Sequence, residues 1–218
     1  MGVRKLYGSL DSPDTMRALA SLNEHKLDFD FIPIDLKSGE HKREPFLSMS
    51  PFGDVPAYQD EQLTLFESRT VMRFISHCYF TSDNEQVYED PRLQGIAAEW
   101  IDIEDHQFDP PASKLTWELV LKPKLIGQPP DPTVVAQEQL KLAKVLDIYE
   151  KRLAESNFLG GHKYTSADLT HLPGLYYLTG TPVDQLFEER PLVSAWKKSI
   201  MSRPGWKKVV AVIEGVQA

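Results

Sequence analysis

What this chain has least of narrows it first. Its 218 residues include a single cysteine, Cys78. One thiol cannot close an internal disulfide, which suits a reducing compartment. No run of about 18 apolar residues occurs anywhere, and the opening stretch MGVRKLYGSLDSPD lacks an apolar segment of secretory length. Neither a membrane span nor a leader is expected, and the cytoplasm is the predicted setting. Basic residues are outnumbered, with 24 Lys and Arg against 32 Asp and Glu, for a net charge of −8. Such a chain presents no attractive field to phosphate backbones or anionic lipid, which argues against nucleic acid and membrane surfaces as partners. Metal-ligand spacing is missing too. Glu104, Asp105, His106 and Asp109 cluster in sequence, but nothing like HExxH occurs and charges on a helix usually face water, so no metal is expected.

What remains is an ordinary globular composition, 41% apolar and 26% charged, at a length that favours two domains over one. The first eighty residues alternate strand and helix signals. Val3 to Tyr7 reads as a strand, Met16, Leu19, Ala20 and Leu22 as the apolar side of a helix running to about Lys26, and Phe29 to Ile34 as a second strand. That order is a βαβ crossover and predicts parallel pairing. Val55 to Tyr58 and Leu63 to Phe66 predict an antiparallel hairpin. Behind Ser68, a candidate N-cap, the residues Val71, Met72, Ile75, Cys78 and Tyr79 share one helical face, which places Cys78 in the core. Residues 82–91 have linker composition, so the predicted domains are 1–81 and 92–218, the second all helical. Val135, Leu142, Leu146, Tyr149 and Leu153 give the clearest amphipathic helix. Pro123 and the cluster from Gly127 to Pro132 predict a break, and Thr165 to Asp168 has capping-box form with Asp in place of Glu or Gln.

Ser12 followed by Pro13 is the strongest helix-start signal in the chain. The positive end of the helix that opens there can hold an anion, and a cap hydroxyl can donate to it. Ser68, next to Glu67, would form a second such pocket in the same small domain. Between them, Val55-Pro56 is a place where a cis bond would turn backbone polar groups toward a peptide ligand, and His41 and Lys42 add donors suited to a carboxylate. Each feature alone reads first as a plain cap, a turn proline or a solvated charge.

Together they match a family. The run Glu40-His41-Lys42-Arg43-Glu44-Pro45-Phe46-Leu47, then Pro51-Phe52-Gly53, Val55-Pro56-Ala57 and Leu65-Phe66-Glu67-Ser68-Arg69, resembles in order and spacing the soluble glutathione transferases, the plant phi class above all. Glu104 to Pro110, Ala112 to Leu115 and Lys141 to Tyr149 carry the resemblance through the second half. It implies an N-terminal thioredoxin-like domain, with a mixed four-stranded sheet and helices, followed by a C-terminal helical bundle domain. It also implies conjugation of the glutathione thiolate to small apolar electrophiles, with hydroperoxide reduction as a related activity and no cofactor beyond glutathione as co-substrate. A low-turnover carrier of flavonoid-like or other planar aromatic ligands is the alternative.

The resemblance assigns Ser12 to the glutathione sulfur, His41 and Lys42 to the glycyl carboxylate, Val55 and Pro56 to the cysteinyl unit, and Glu67 with Ser68 to the γ-glutamyl end. A thiol of pKa near 8.5 is about 3% ionised at pH 7, and lowering it by about two units makes it roughly three-quarters thiolate, worth about 2.7 kcal/mol. Asp54 departs from the family's glutamine in this loop. Ionised, it can only accept, so weaker glutathione binding is expected. The apolar substrate pocket implied between the domains draws on Pro13, Leu36, Leu115, Trp117, Leu119 and Tyr177, with Tyr176 a further stacking surface. Phe52 resembles the family's key into a partner subunit, implying a homodimer.

Overall fold

A computed structural model describes residues 3–81 and 86–215; part of the linker predicted over 82–91 lies outside them. The chain divides into two compact units, one built from the residues up to Gln86 together with the segment from Arg203 on, the other from Val87 to Ser202.

In the first unit, β1 (Arg4–Gly8) alternates partly buried and buried positions, as expected of a strand covered on one face. It pairs in parallel with β2 (Phe29–Pro33), Leu6 opposite Phe31, and antiparallel with β3 (Ala57–Gln59), Leu6 opposite Tyr58. β4 (Thr64–Phe66) closes the hairpin on β3. The order β2-β1-β3-β4 leaves β2 at an edge, where Pro33 costs no ladder bond. Helix α1 (Pro13–Glu24) buries Met16, Ala18, Leu19 and Leu22, and α2 (Ser68–Cys78) buries Val71, Met72 and Ile75. The two helices pack on each other. The crossover and the hairpin stand as read from the hydrophobic pattern.

Two expectations for this unit change. Cys78 is exposed. It closes α2, where the apolar face runs out onto a recess lined by Arg4, Asp60, Phe74 and Tyr79 rather than onto core. The last helix, α11 (Pro204–Ile213), packs against α1 instead of belonging with the helices of 92–202. Arg203 holds the carboxylate of Glu24 through Nη2 at 2.7 Å and Nε at 3.0 Å, and a Cβ at Gly205 would fall 2.6 Å from Glu24 Oε1. Only glycine lets α11 come this close to that carboxylate.

The second unit begins with a helical run that crosses three prolines. α3 (Pro91–Ile103) passes through a π-turn at Glu104–Phe108 into α4 (Asp109–Thr116), and a second π-turn at Trp117–Leu121 leads into α5 (Lys122–Ile126). Of the two break signals, Pro123 is carried inside α5, while the cluster that begins at Gly127, whose φ is +67°, does end the helix. Each π-turn lengthens the hydrogen-bonding step just ahead of prolines that lack an N–H, so the helix continues through residues that would otherwise end it. α6 (Pro132–Glu155), capped by Asp131, buries Leu142, Leu146, Tyr149 and Leu153 as its periodicity predicts. The short helices α7 (Ser166–Leu169), α8 (Leu172–Leu178) and α9 (Asp184–Glu188) and the longer α10 (Pro191–Met201) follow. Trp100, Phe108, Tyr149, His171 and Trp196 form the aromatic centre of this core. No described helix is long and apolar enough to cross a membrane.

Candidate functional site

Ser12 is the N-cap of α1, with φ −94° and ψ 121°. Its Oγ accepts the Thr15 N–H at 3.4 Å, and among the described residues no acceptor takes its hydroxyl hydrogen. The residue is 9% exposed, so a donor bond from it to an incoming anion is made in surroundings largely shielded from water. Pro13 follows at the first helical position and is partly buried.

Ser68 opens α2 as its first helical residue. The cap is Glu67, not Ser68 as its sequence position suggests, and Glu67 holds φ +69° and ψ 112° with its side chain exposed. A non-glycine residue in that region costs on the order of 1 to 3 kcal/mol, a strain found preferentially at binding and switch sites. The Ser68 hydroxyl is drawn away from capping by two residues of α1 that sequence reading passed over. It accepts from Arg17 Nη1 at 2.7 Å and donates to Asp14 Oδ1 at 2.8 Å, while Arg17 Nη1 lies 2.5 Å from the same Asp14 oxygen. Burial works to raise the Asp14 pKa, but Arg17, the Ser68 hydrogen bond and the charge of Arg69 outweigh it and hold the carboxyl below its ordinary value. The three-residue spacing of Asp14 and Arg17 is legible in the sequence; their partner lies more than fifty residues downstream.

The loop between β2 and β3 carries the remaining polar candidates. His41 sits in a 3₁₀ turn at Glu40–Lys42, and its Nδ1 is buried without a hydrogen-bond partner among the described residues. Lys42 Nζ bonds the Phe52 carbonyl at 2.9 Å and Asp54 Oδ1 at 3.1 Å, so the departure at position 54 is met by a neighbouring cation. Gly53, at φ +65°, lies where a Cβ would approach the His41 carbonyl to 2.6 Å, which fixes the loop against the turn. The Val55–Pro56 bond is cis, and Val55 packs with Ile34, Phe46 and Ala57. Phe52 is 70% exposed beside Phe66, ring centroids 6.2 Å apart, which excludes a buried loop anchor.

The apolar candidates fall in both units. In the first, Leu36 packs on the loop cluster around Phe46. In the second, Trp117 is exposed and Leu119 partly buried. Leu115 has no exposed surface. It is core, because α4 turns that side onto α6 and α8, and the expectation that it offers surface to a ligand is withdrawn. Tyr177 is nearly buried and stands edge-on to Tyr176 at 5.4 Å.

A thioredoxin-like sheet unit with two helix N-termini, followed in the chain by a helical unit, is the class of fold these elements define. Residues 2–77 match the glutathione S-transferase N-terminal domain family and residues 108–204 its C-terminal domain family. Glutathione S-transferase F7 of Arabidopsis thaliana is 51% identical over 94% of this chain and 98% of its own. Glutathione transferase F7 of Populus trichocarpa superposes with a TM-score of 0.92 at 40% identity, over 99% of this chain and 100% of the other. Glutathione S-transferase I from maize, solved with an atrazine glutathione conjugate, superposes at 0.89 with 31% identity, over 99% and 100%. The chain belongs to the glutathione S-transferase family, within its plant phi class. Its reaction is glutathione conjugation.

Proposed function

We propose that Ser12 is the residue that makes glutathione nucleophilic in this enzyme. Its hydroxyl sits at a helix N-terminus with no acceptor among the described residues, so it can donate to sulfur while the α1 dipole adds to the attraction. Both effects favour thiolate over thiol, and the proton passes to solvent. The thiolate then attacks the electrophilic carbon. With a chloronitrobenzene the C–S bond forms, the C–Cl bond breaks and chloride leaves.

His41 with Lys42 is the proposed seat of the glycyl carboxylate, supported by the orphaned Nδ1 of His41. A buried polar atom without a partner costs about 1 to 3 kcal/mol, which a ligand bond would recover. Asp54 stands beside that seat, the Val55 main chain ahead of Pro56 pairs with the cysteinyl unit, and Glu67 with Ser68 takes the γ-glutamyl end. Pro13 and Leu36 are the first unit's proposed apolar contacts for an electrophile, and Trp117, Leu119 and Tyr177 are the second unit's candidates. The same thiolate can attack an organic hydroperoxide, breaking the O–O bond to release the alcohol and leave glutathione sulfenic acid, which a second glutathione converts to the disulfide and water. The exposed Phe52 supports a homodimer, and the single exposed thiol a cytoplasmic setting.

The test is steady-state conjugation of chlorodinitrobenzene by wild type and Ser12→Ala, with ultraviolet titration of enzyme-bound glutathione. A loss of about two units of thiol acidity and a fall in kcat of about a hundredfold are expected on removing the donor, with glutathione still bound. An unshifted thiolate band in wild type would overturn the assignment.

A further inference from the structure

The hydroxyl of Ser68 is already committed. It has one hydrogen, given to Asp14 Oδ1 at 2.8 Å, and it accepts from Arg17 Nη1 at 2.7 Å. What Ser68 can offer a ligand carboxylate is therefore its main-chain N–H at the start of α2, one of the donors that a helix leaves unpaired. Asp14 is arranged differently. Both of its bonds end on Oδ1, and its side chain remains 50% exposed, whereas Arg17 at 2% cannot present its charge to a ligand. Asp14 sits two residues after Ser12 in the first turn of α1, so an anionic group stands between the two helix N-termini. An isolated carboxylate arriving there would be repelled. A group carrying an ammonium beside its carboxylate would not be.

Resting on the reading of Ser68 as the γ-glutamyl site, we propose that Asp14 reads the α-ammonium of the γ-glutamyl unit and so selects an amino-acid terminus over a plain acid. The α-carboxylate lies on the amides that open α2, and the ammonium donates to the outer oxygen of Asp14. The carboxyl stays ionised because Arg17, Ser68 and Arg69 hold its pKa low. Asp14 is thus a specificity residue for the peptide substrate, separate from Ser12, which acts on the sulfur.

Calorimetry on the full chain with two ligands tests this: glutathione, and its des-amino analogue in which glutaryl replaces γ-glutamyl. Wild type is expected to prefer glutathione by about tenfold, the scale of one charge-assisted hydrogen bond. Asp14→Asn is expected to bind both ligands alike, at the affinity that wild type has for the analogue. Asp14→Ser gives the same comparison if the asparagine variant folds poorly. Retention of the preference in both variants, with its loss in Glu67→Gln, would assign the ammonium to Glu67 and overturn the proposal. Equal weakening toward both ligands would also overturn it, leaving Asp14 only a support for Ser68. Wild type that binds neither tripeptide would instead bring down the Ser68 reading itself.

Discussion

Asp54 shows how one side chain sets the terms for its neighbours. Ionised, it accepts and cannot donate, and it takes the ammonium of Lys42 at 3.1 Å with both side chains well exposed. A pair so open to water contributes at most about 1 kcal/mol to stability. Its consequence is for binding, since the cation beside His41 is partly neutralised before any glycyl carboxylate arrives. Asp54→Gln frees Lys42 and restores a donor, and should tighten glutathione binding by about three- to tenfold with little change in melting temperature. An unchanged calorimetric Kd would show that position 54 does not bear on the ligand. The odd residue at 54 was visible in the sequence, and so was a compensating cation as a possibility. That Lys42 provides it depends on Gly53, whose positive φ brings the two ends of the loop together.

At the scale of elements, the signals that proved readable are those contained within a few turns. The cap at Ser12, the α6 stripe and the Thr165 to Asp168 box all form as their spacing suggests. The stripe has one charged member, Glu138, buried and bridged to Lys114 at 3.1 Å and Lys141 at 2.8 Å. In the box, Asp168 does more than reach back to the Thr165 N–H at 3.0 Å. Its other oxygen accepts from Leu159 N and from Trp196 Nε1, each at 2.9 Å. Thr165→Ala should therefore cost about 1 kcal/mol, a fall of a few degrees in a chain of this size. Asp168→Ala strands four buried donors, the Thr165 hydroxyl among them, and should cost more than about 3 kcal/mol. Equal losses in thermal melts would mean that the box matters only as a helix cap. Neither π-turn was legible, because the same residues fit an α-helix locally and only the accommodation of the following prolines distinguishes the two.

For the molecule as a whole, pH sorts the carboxylates by sign. Lys197 holds Asp184 and Lys141 holds Glu138 below their ordinary values, as Arg17 helps to hold Asp14. Such groups add stability that is complete above the unfolded carboxylate range and lost as pH falls through their folded values. Asp168 runs the other way. Burial pushes its carboxyl from 3.8 up to about 6, so the folded state binds that proton more tightly, and the contribution present below the unfolded value is lost as pH rises through about 6. Against Asp168→Asn, wild type should lose melting temperature as pH rises from about 4 through about 6, while His25, whose burial lowers its pKa, adds stability toward pH 6.5 in both proteins alike. A difference between the two proteins that stays flat from about pH 4 to 7 would contradict this assignment. The residue order alone established the parallel crossover, the hairpin, the helix starts at Ser12 and Thr165 and the family, because propensity, capping and hydrophobic period are settled among neighbours within a turn or a strand. Tertiary structure alone decided that Ser68 is held by Asp14 and Arg17, that Cys78 faces water and that α11 returns to α1. Those outcomes depend on which distant segment the chain brings alongside, and no local pattern encodes the identity of a partner fifty or two hundred residues away.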